Sequence, residues 1–224
     1  MTTSVPIRDA ATVIVVRDPE ENPSVLMGQR GKSAVFLPGK VVFPGGRVDQ
    51  GDARIAIGGQ LDDRCRARLS GTDLPRPETL VAAAIRELWE ETGQILGQPG
   101  MWADAPTDWQ SFAATGHRPD AAGLTYVFRA ITPPGRPRRF DARFFTVNAD
   151  RLAGDPDDFS HATDELSHLR WIPLSHARQA DLPFITQVAL AEVAGRLPDL
   201  SPPPRVPFFH GHMEDIAIAD AHRD

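Results

Sequence analysis

Arg86, Glu87, Glu90 and Glu91 stand within six residues of one another, in a run that begins at Glu78 and ends at Gly93. On a helix turning about 100° per residue, these four side chains fall within an arc of roughly 140°. Val81, Ile85, Leu88, Trp89 and Thr92 take the opposite arc. One side of such a helix packs into a core, and the other gathers three carboxylates and a guanidinium. Like charges at i,i+4 repel. The repulsion is relieved when the carboxylates share a hard divalent cation, for which oxygen ligands such as these suit Mg²⁺ or Mn²⁺. Arg86 is placed to orient one carboxylate through a charged hydrogen bond. An isolated string of this kind is more often a solvated acidic face, so the upstream residues decide its meaning.

The elements that must position this helix are short and frequently interrupted, since Gly and Pro together number 39. The β-branched run 11–16 predicts a strand, with a second at 25–27 and a third at 41–43, stopped by Pro44-Gly45-Gly46. Residues 78–92 predict the clearest helix, closed by Gly93 in the usual C-terminal position. Further strands are expected at 124–131, 143–147 and 169–172, and an amphipathic helix at 184–196. Residues 47–77 read as irregular, with a weak helical hint at 61–69. The tail from Pro202 reads as extended and solvated. Without repeats or a convincing linker, the economical organisation is one mixed α/β domain over 1–224, with its core at about 8–196 and a Pro-rich tail at 198–224.

The run from Glu78 to Gly93 resembles the Nudix box, G-x5-E-x7-R-E-U-x-E-E-x-G-U, in which U is a bulky aliphatic residue. Glu78, Arg86, Glu87, Glu90, Glu91 and Gly93 match it, whereas Gln94 stands at the last aliphatic position. The opening glycine is read as Gly46, after Phe43-Pro44-Gly45, because a strand followed by Pro-Gly-Gly opens the family's motif. Gly46 is then separated from Glu78 by 31 residues where the motif has five. A loop insertion of about 26 residues within 47–77 accounts for the difference, and closing a longer surface loop costs little.

The resemblance implies an α/β/α sandwich with a mixed sheet and a catalytic loop-helix-loop. It also implies metal-dependent hydrolysis of a nucleoside diphosphate linked to another moiety. Carried onto this chain, Glu87, Glu90 and Glu91 bind Mg²⁺ or Mn²⁺ with the backbone carbonyl of Gly46, while Arg86 and Glu78 hold the constellation. The general base is either a box glutamate or a later loop glutamate, for which Glu165 is the candidate. Arg30, Phe43 and Gly45 fall in a partial match to the upstream signature of coenzyme A diphosphatases, with Gly31 and Val35 departing from it. The expected substrate is therefore coenzyme A or an acyl derivative. The alternatives are ADP-ribose or a similar dinucleotide, or ligand binding without turnover by a regulatory module. A homodimer is compatible with the resemblance, though no residue specifies one.

Composition narrows the other classes. With 24 Lys plus Arg against 30 Asp plus Glu, the net charge of −6 disfavours nucleic acid as a partner, despite a local patch at Arg136, Arg138, Arg139 and Arg143. A lone Cys65 excludes an intramolecular disulfide framework and a Cys-rich zinc site. No apolar run reaches the roughly 18 residues of a membrane span, and the first residues lack a signal-peptide pattern. The expectation is a cytoplasmic protein acting on a small nucleotide-type molecule. Trp89 reads as core, and Trp102 and Trp109 as surface packing. His210, His212, Glu214 and Asp215 are set aside as chance chemistry of a tail.

Overall fold

The computed structural model describes residues 5–177 and 179–210 and the strand at 216–218. His212, Glu214 and Asp215 lie outside the described residues. The chain runs β1 (Ile7–Arg17), β2 (Ser24–Arg30), β3 (Val41–Val42), β4 (Gly45–Arg47), α1 (Asp63–Leu69), α2 (Pro77–Thr92) and β5 (Gly97–Pro99). It continues through α3 (Gln110–Ala113), β6 (His117–Pro119), β7 (Thr125–Ile131), β8 (Arg139–Asn148) and β9 (Leu166–Pro173). It ends with α4 (Leu174–Ala177), α5 (Phe184–Ala194), β10 (Pro207–Phe209) and β11 (Ile216–Ile218).

One mixed sheet carries the fold, in the order β11-β10-β7-β8-β1-β2-β3, with β4 also on β1 and β9 also on β2. β1 lies at its centre because its residues alternate between two apolar faces. Ala11, Val13 and Val15 join the cluster built with α2, whereas Ile14 and Val16 join the one built with α5. A period-two strand buried on both faces requires a helical layer on each side. The α/β/α sandwich with a mixed sheet is therefore observed. β1 runs parallel to β8 and antiparallel to β2 and β4. The pairing Ala11↔Gly46 places the Pro-Gly-Gly turn at mid-sheet.

α2 begins at Pro77, where a missing N–H costs nothing. It ends at Gly93, whose φ of 73° supplies the left-handed cap that donates its N–H to Trp89 O. Three expectations change here. First, the solvated acidic face that such a string more often forms is not observed: Arg86, Glu87 and Glu91 are buried and Glu90 is half-buried. Second, 47–77 is not a surface loop, since Ile55, Leu61, Cys65 and Leu69 enter the main cluster and α1 forms within it. Leu61, Cys65 and Leu69 stand four residues apart, at helical spacing as the hint at 61–69 has it, and with Ile55 they become core by joining the cluster built with α2. Third, over the described residues 202–210 the tail packs against the domain. Arg68 donates to Pro203 O and Pro204 O, Val206 is buried, and β10 pairs parallel with β7. Trp89 is core as expected, and Trp109 is buried as well. Among the described residues, no helix is long and apolar enough to cross a membrane.

Candidate active site

The β4 turn and the last two turns of α2 face one another, and glycine is what lets them approach. A Cβ on Gly46 would overlap the Glu87 carboxylate, and one on Gly45 would stand 2.6 Å from Ala11 O. The Gly45 N–H donates to Glu91 Oε2 at 2.7 Å, so the turn is fastened to the helix through a carboxylate.

Arg86 sits behind this contact, with every N–H engaged. Nε and Nη2 donate to the two oxygens of Asp52 at 2.9 and 3.0 Å, and Nη2 also donates to Arg47 O at 2.9 Å. Nη1 donates to Glu87 Oε1 at 2.8 Å and to Glu90 Oε2 at 3.0 Å. Burial alone would lower the guanidinium's pKa. The Asp52 hydrogen bonds and the neighbouring carboxylates reverse that and hold it above its ordinary range.

The carboxylates show the opposite imbalance. Burial pushes the Glu87 pKa up to about 7, against Arg86, with Glu90 and Glu165 adding repulsion. Glu91 is 1% exposed, and burial followed by the Glu87 charge raises it well above the usual carboxylate range. Glu90 is raised by burial as well. The cluster holds more negative charge than its arginines neutralise.

Glu165 reaches this cluster from the segment before β9. Its Oε1 accepts from Arg30 Nη2 at 3.0 Å, and Arg30 Nη1 lies 3.9 Å from Glu91 Oε1. Arg30, at the end of β2, thus bridges the helix and the loop, and its buried Nε has no partner among the described residues.

Two site expectations do not hold. Glu78 lies two turns up the helix, about 12 Å from Arg86 along the axis, and bonds Arg66 instead. Asp52 takes the place at Arg86. It stands five intervening residues after Gly46, the motif's own interval, and 33 separate it from Arg86 where the motif has seven. The added residues therefore follow Asp52. The interval was readable in the sequence, but aspartate at a glutamate position, together with the chance fit of Glu78, concealed it. Phe43 is also misplaced as a ligand contact, because it is 4% exposed in the α5-side core.

Among the described residues, no three acidic, imidazole or thiol side chains converge with metal-holding geometry. In this arrangement Arg86 takes Glu87 and Glu90, and Gly45 takes Glu91. The donor set nevertheless fits a hard cation: all donors are oxygens, and the surplus of buried negative charge is what a divalent ion relieves.

No family model matches the chain. A Caenorhabditis elegans protein named "Putative nudix hydrolase 7" is 31% identical over 178 residues, which are 74% of this chain and 51% of that protein. The chain thus spans about half the length of that curated relative. The solved structure of a NUDIX hydrolase from Alicyclobacillus acidocaldarius is 30% identical, with a TM-score of 0.64 over 85% of this chain and 92% of its own.

Proposed function

The chain belongs to the Nudix hydrolase family, and from that premise we propose that it hydrolyses a nucleoside diphosphate linked to another moiety, at the cluster on α2. The observation that carries the proposal is the gathering of buried Glu87 and Glu91 with half-buried Glu90, the first two pressed against a glycine turn. In this reading those three side chains and the Gly46 carbonyl hold Mg²⁺ or Mn²⁺. Bound there, the cation neutralises the diphosphate and lowers the pKa of a water.

The protein's part is positioning. Arg86, locked by Asp52, fixes the rotamers of Glu87 and Glu90. Gly45 fixes Glu91. Glu165 accepts the proton of the attacking water, whose oxygen joins one phosphorus as the bridging P–O bond breaks. Arg30, with donor capacity to spare, pairs with a phosphate oxygen of the substrate.

Coenzyme A or an acyl-coenzyme A is the substrate we favour, on the partial signature from Arg30 to Gly46. ADP-ribose or a related dinucleotide is the alternative. The reducing cytoplasm suits a chain whose single thiol, Cys65, is buried. The test is product release from coenzyme A, acetyl-coenzyme A, ADP-ribose and NADH with each metal. Preferential release of 3′,5′-ADP supports the favoured substrate. Preference for ADP-ribose keeps the chemistry and discards that substrate. Thermal stabilisation by the same compounds without any cleavage overturns the hydrolase reading in favour of a binding module.

A further inference from the structure

Gln94 is a costly residue where it stands. It is 2% exposed, directly after the glycine cap of α2, and it is polar. Its Nε2 donates to Asp158 O at 2.9 Å, while its buried Oε1 has no partner among the described residues. Because a carbonyl oxygen only accepts, the orientation of this amide is fixed by its partner. An aliphatic side chain of the same size would fill the volume without leaving a buried acceptor unpaired. The stability of the core does not explain the choice.

What Gln94 holds is the segment that carries Glu165. The segment crosses the C-terminal end of α2 in a series of close contacts. Ala153 N donates to Ile95 O at 2.8 Å, and Thr163 N donates to Glu90 O at 2.9 Å. His161 stacks on Trp89 with ring centres 5.5 Å apart, and a Cβ on Gly93 would lie 3.1 Å from His161 Cβ. Between these fixed points the chain turns through Asp158, whose side chain accepts from Ser160 N at 2.9 Å. Gln94 is the side chain that ties this turn to the helix.

We propose that Gln94 is a positioning residue, holding the 153–165 segment so that Glu165 meets the α2 carboxylates. The proposal rests on the reading of Glu165 as proton acceptor. A side chain that fastens a loop at the expense of an unpaired buried oxygen serves the geometry of the site rather than the stability of the fold.

The test is Gln94→Leu, beside Glu165→Gln and the double variant, with kcat and KM measured separately and amide hydrogen exchange followed across residues 155–165. Gln94→Leu is expected to lower kcat about tenfold with KM within twofold, since small misplacements are costly in catalysis. It should leave the melting temperature unchanged or higher. The amides of Ser160 and Thr163 should exchange faster, and the kcat effect should shrink when Glu165 is already Gln. Unchanged exchange at these amides overturns the proposal whether or not a substrate has been found. So does unchanged kcat in Gln94→Leu while Glu165→Gln is impaired, and so does a lowered melting temperature with kcat per folded molecule unaltered. Full activity in Glu165→Gln removes the base reading and this proposal with it, whereas Glu91→Gln tests the hydrolase reading separately.

Discussion

The molecule carries two partly buried clusters of arginine and carboxylate, and they differ in charge balance. In the first, Asp52, Glu87, Glu90, Glu91 and Glu165 share Arg86 and Arg30. In the second, Asp9 and Asp141 face Arg129 and Arg143 across β1, β7 and β8. Arg129 takes both oxygens of Asp141 at 2.8 and 2.6 Å, and its guanidinium lies 4.3 Å from the Phe208 ring centre. That cluster is neutral within itself, and it ties the tail strand to the sheet. The first has more carboxylates than arginines, and burial first of all, with the Glu87 charge second at Glu91, raises the pKa values of its glutamates. Buried charge alone does not mark a cation site.

The comparison breaks most easily at Glu91. Glu91→Gln removes a surplus charge, so kcat should fall at least about a hundredfold while the fold persists; rates with saturating Mg²⁺ and a melting curve check both. The neutral cluster should respond in reverse. Asp141→Ala strands Arg129 and leaves Arg143 with Asp9 alone, costing on the order of 3–5 kcal/mol by chemical denaturation, with kcat per folded molecule unaltered. Asp52→Ala joins the two behaviours, because it removes two hydrogen bonds that anchor Arg86 and so loosens the guanidinium that orients Glu87 and Glu90. Stability and kcat should both fall, and Asp52→Glu should restore much of each.

The pH dependence has a definite sign. Glu87 is raised from 4.5 to about 7, so its contribution to stability is complete below 4.5 and is lost as pH rises through about 7. Glu90 and Glu91 are shifted the same way. Metal-free protein should therefore lose stability between pH 5 and 8. Added Mn²⁺ should recover it increasingly across the same interval, since the ion competes with protons for these oxygens. The smallest effect belongs to Glu78. Glu78→Gln should change stability by less than about 1 kcal/mol, because its pair with Arg66 is partly exposed, and kcat should stay within twofold.

The sequence made α2 and β1 plain, because a helix capped by glycine and a β-branched run are local signals that packing did not need to alter. The carboxylates followed from helical spacing. Within 53–77 only the helical hint at 61–69 was legible, and it forms as α1 with Leu61, Cys65 and Leu69 four residues apart; Ile55 joins the core with no period to announce it. The small ribbon of β5 and β6 was missed because each strand has three residues. Val206 and Phe209 hid behind a Pro-rich run that reads as solvated until β7 offers an edge. At the site, Asp52 was hidden by its residue type, since it is shorter than the pattern asks for, whereas Gln94 was legible as a departure from the pattern but not in what it contacts.

The most direct measurement is a Mn²⁺ titration at pH 8 of the protein and of Glu91→Gln, followed by the loss of the free ion's electron paramagnetic resonance signal. The account predicts saturable binding to the unaltered protein and strong weakening in the variant. Absence of saturable binding, or equal affinity in both proteins, would contradict the claim that the surplus carboxylates of α2 are a cation site.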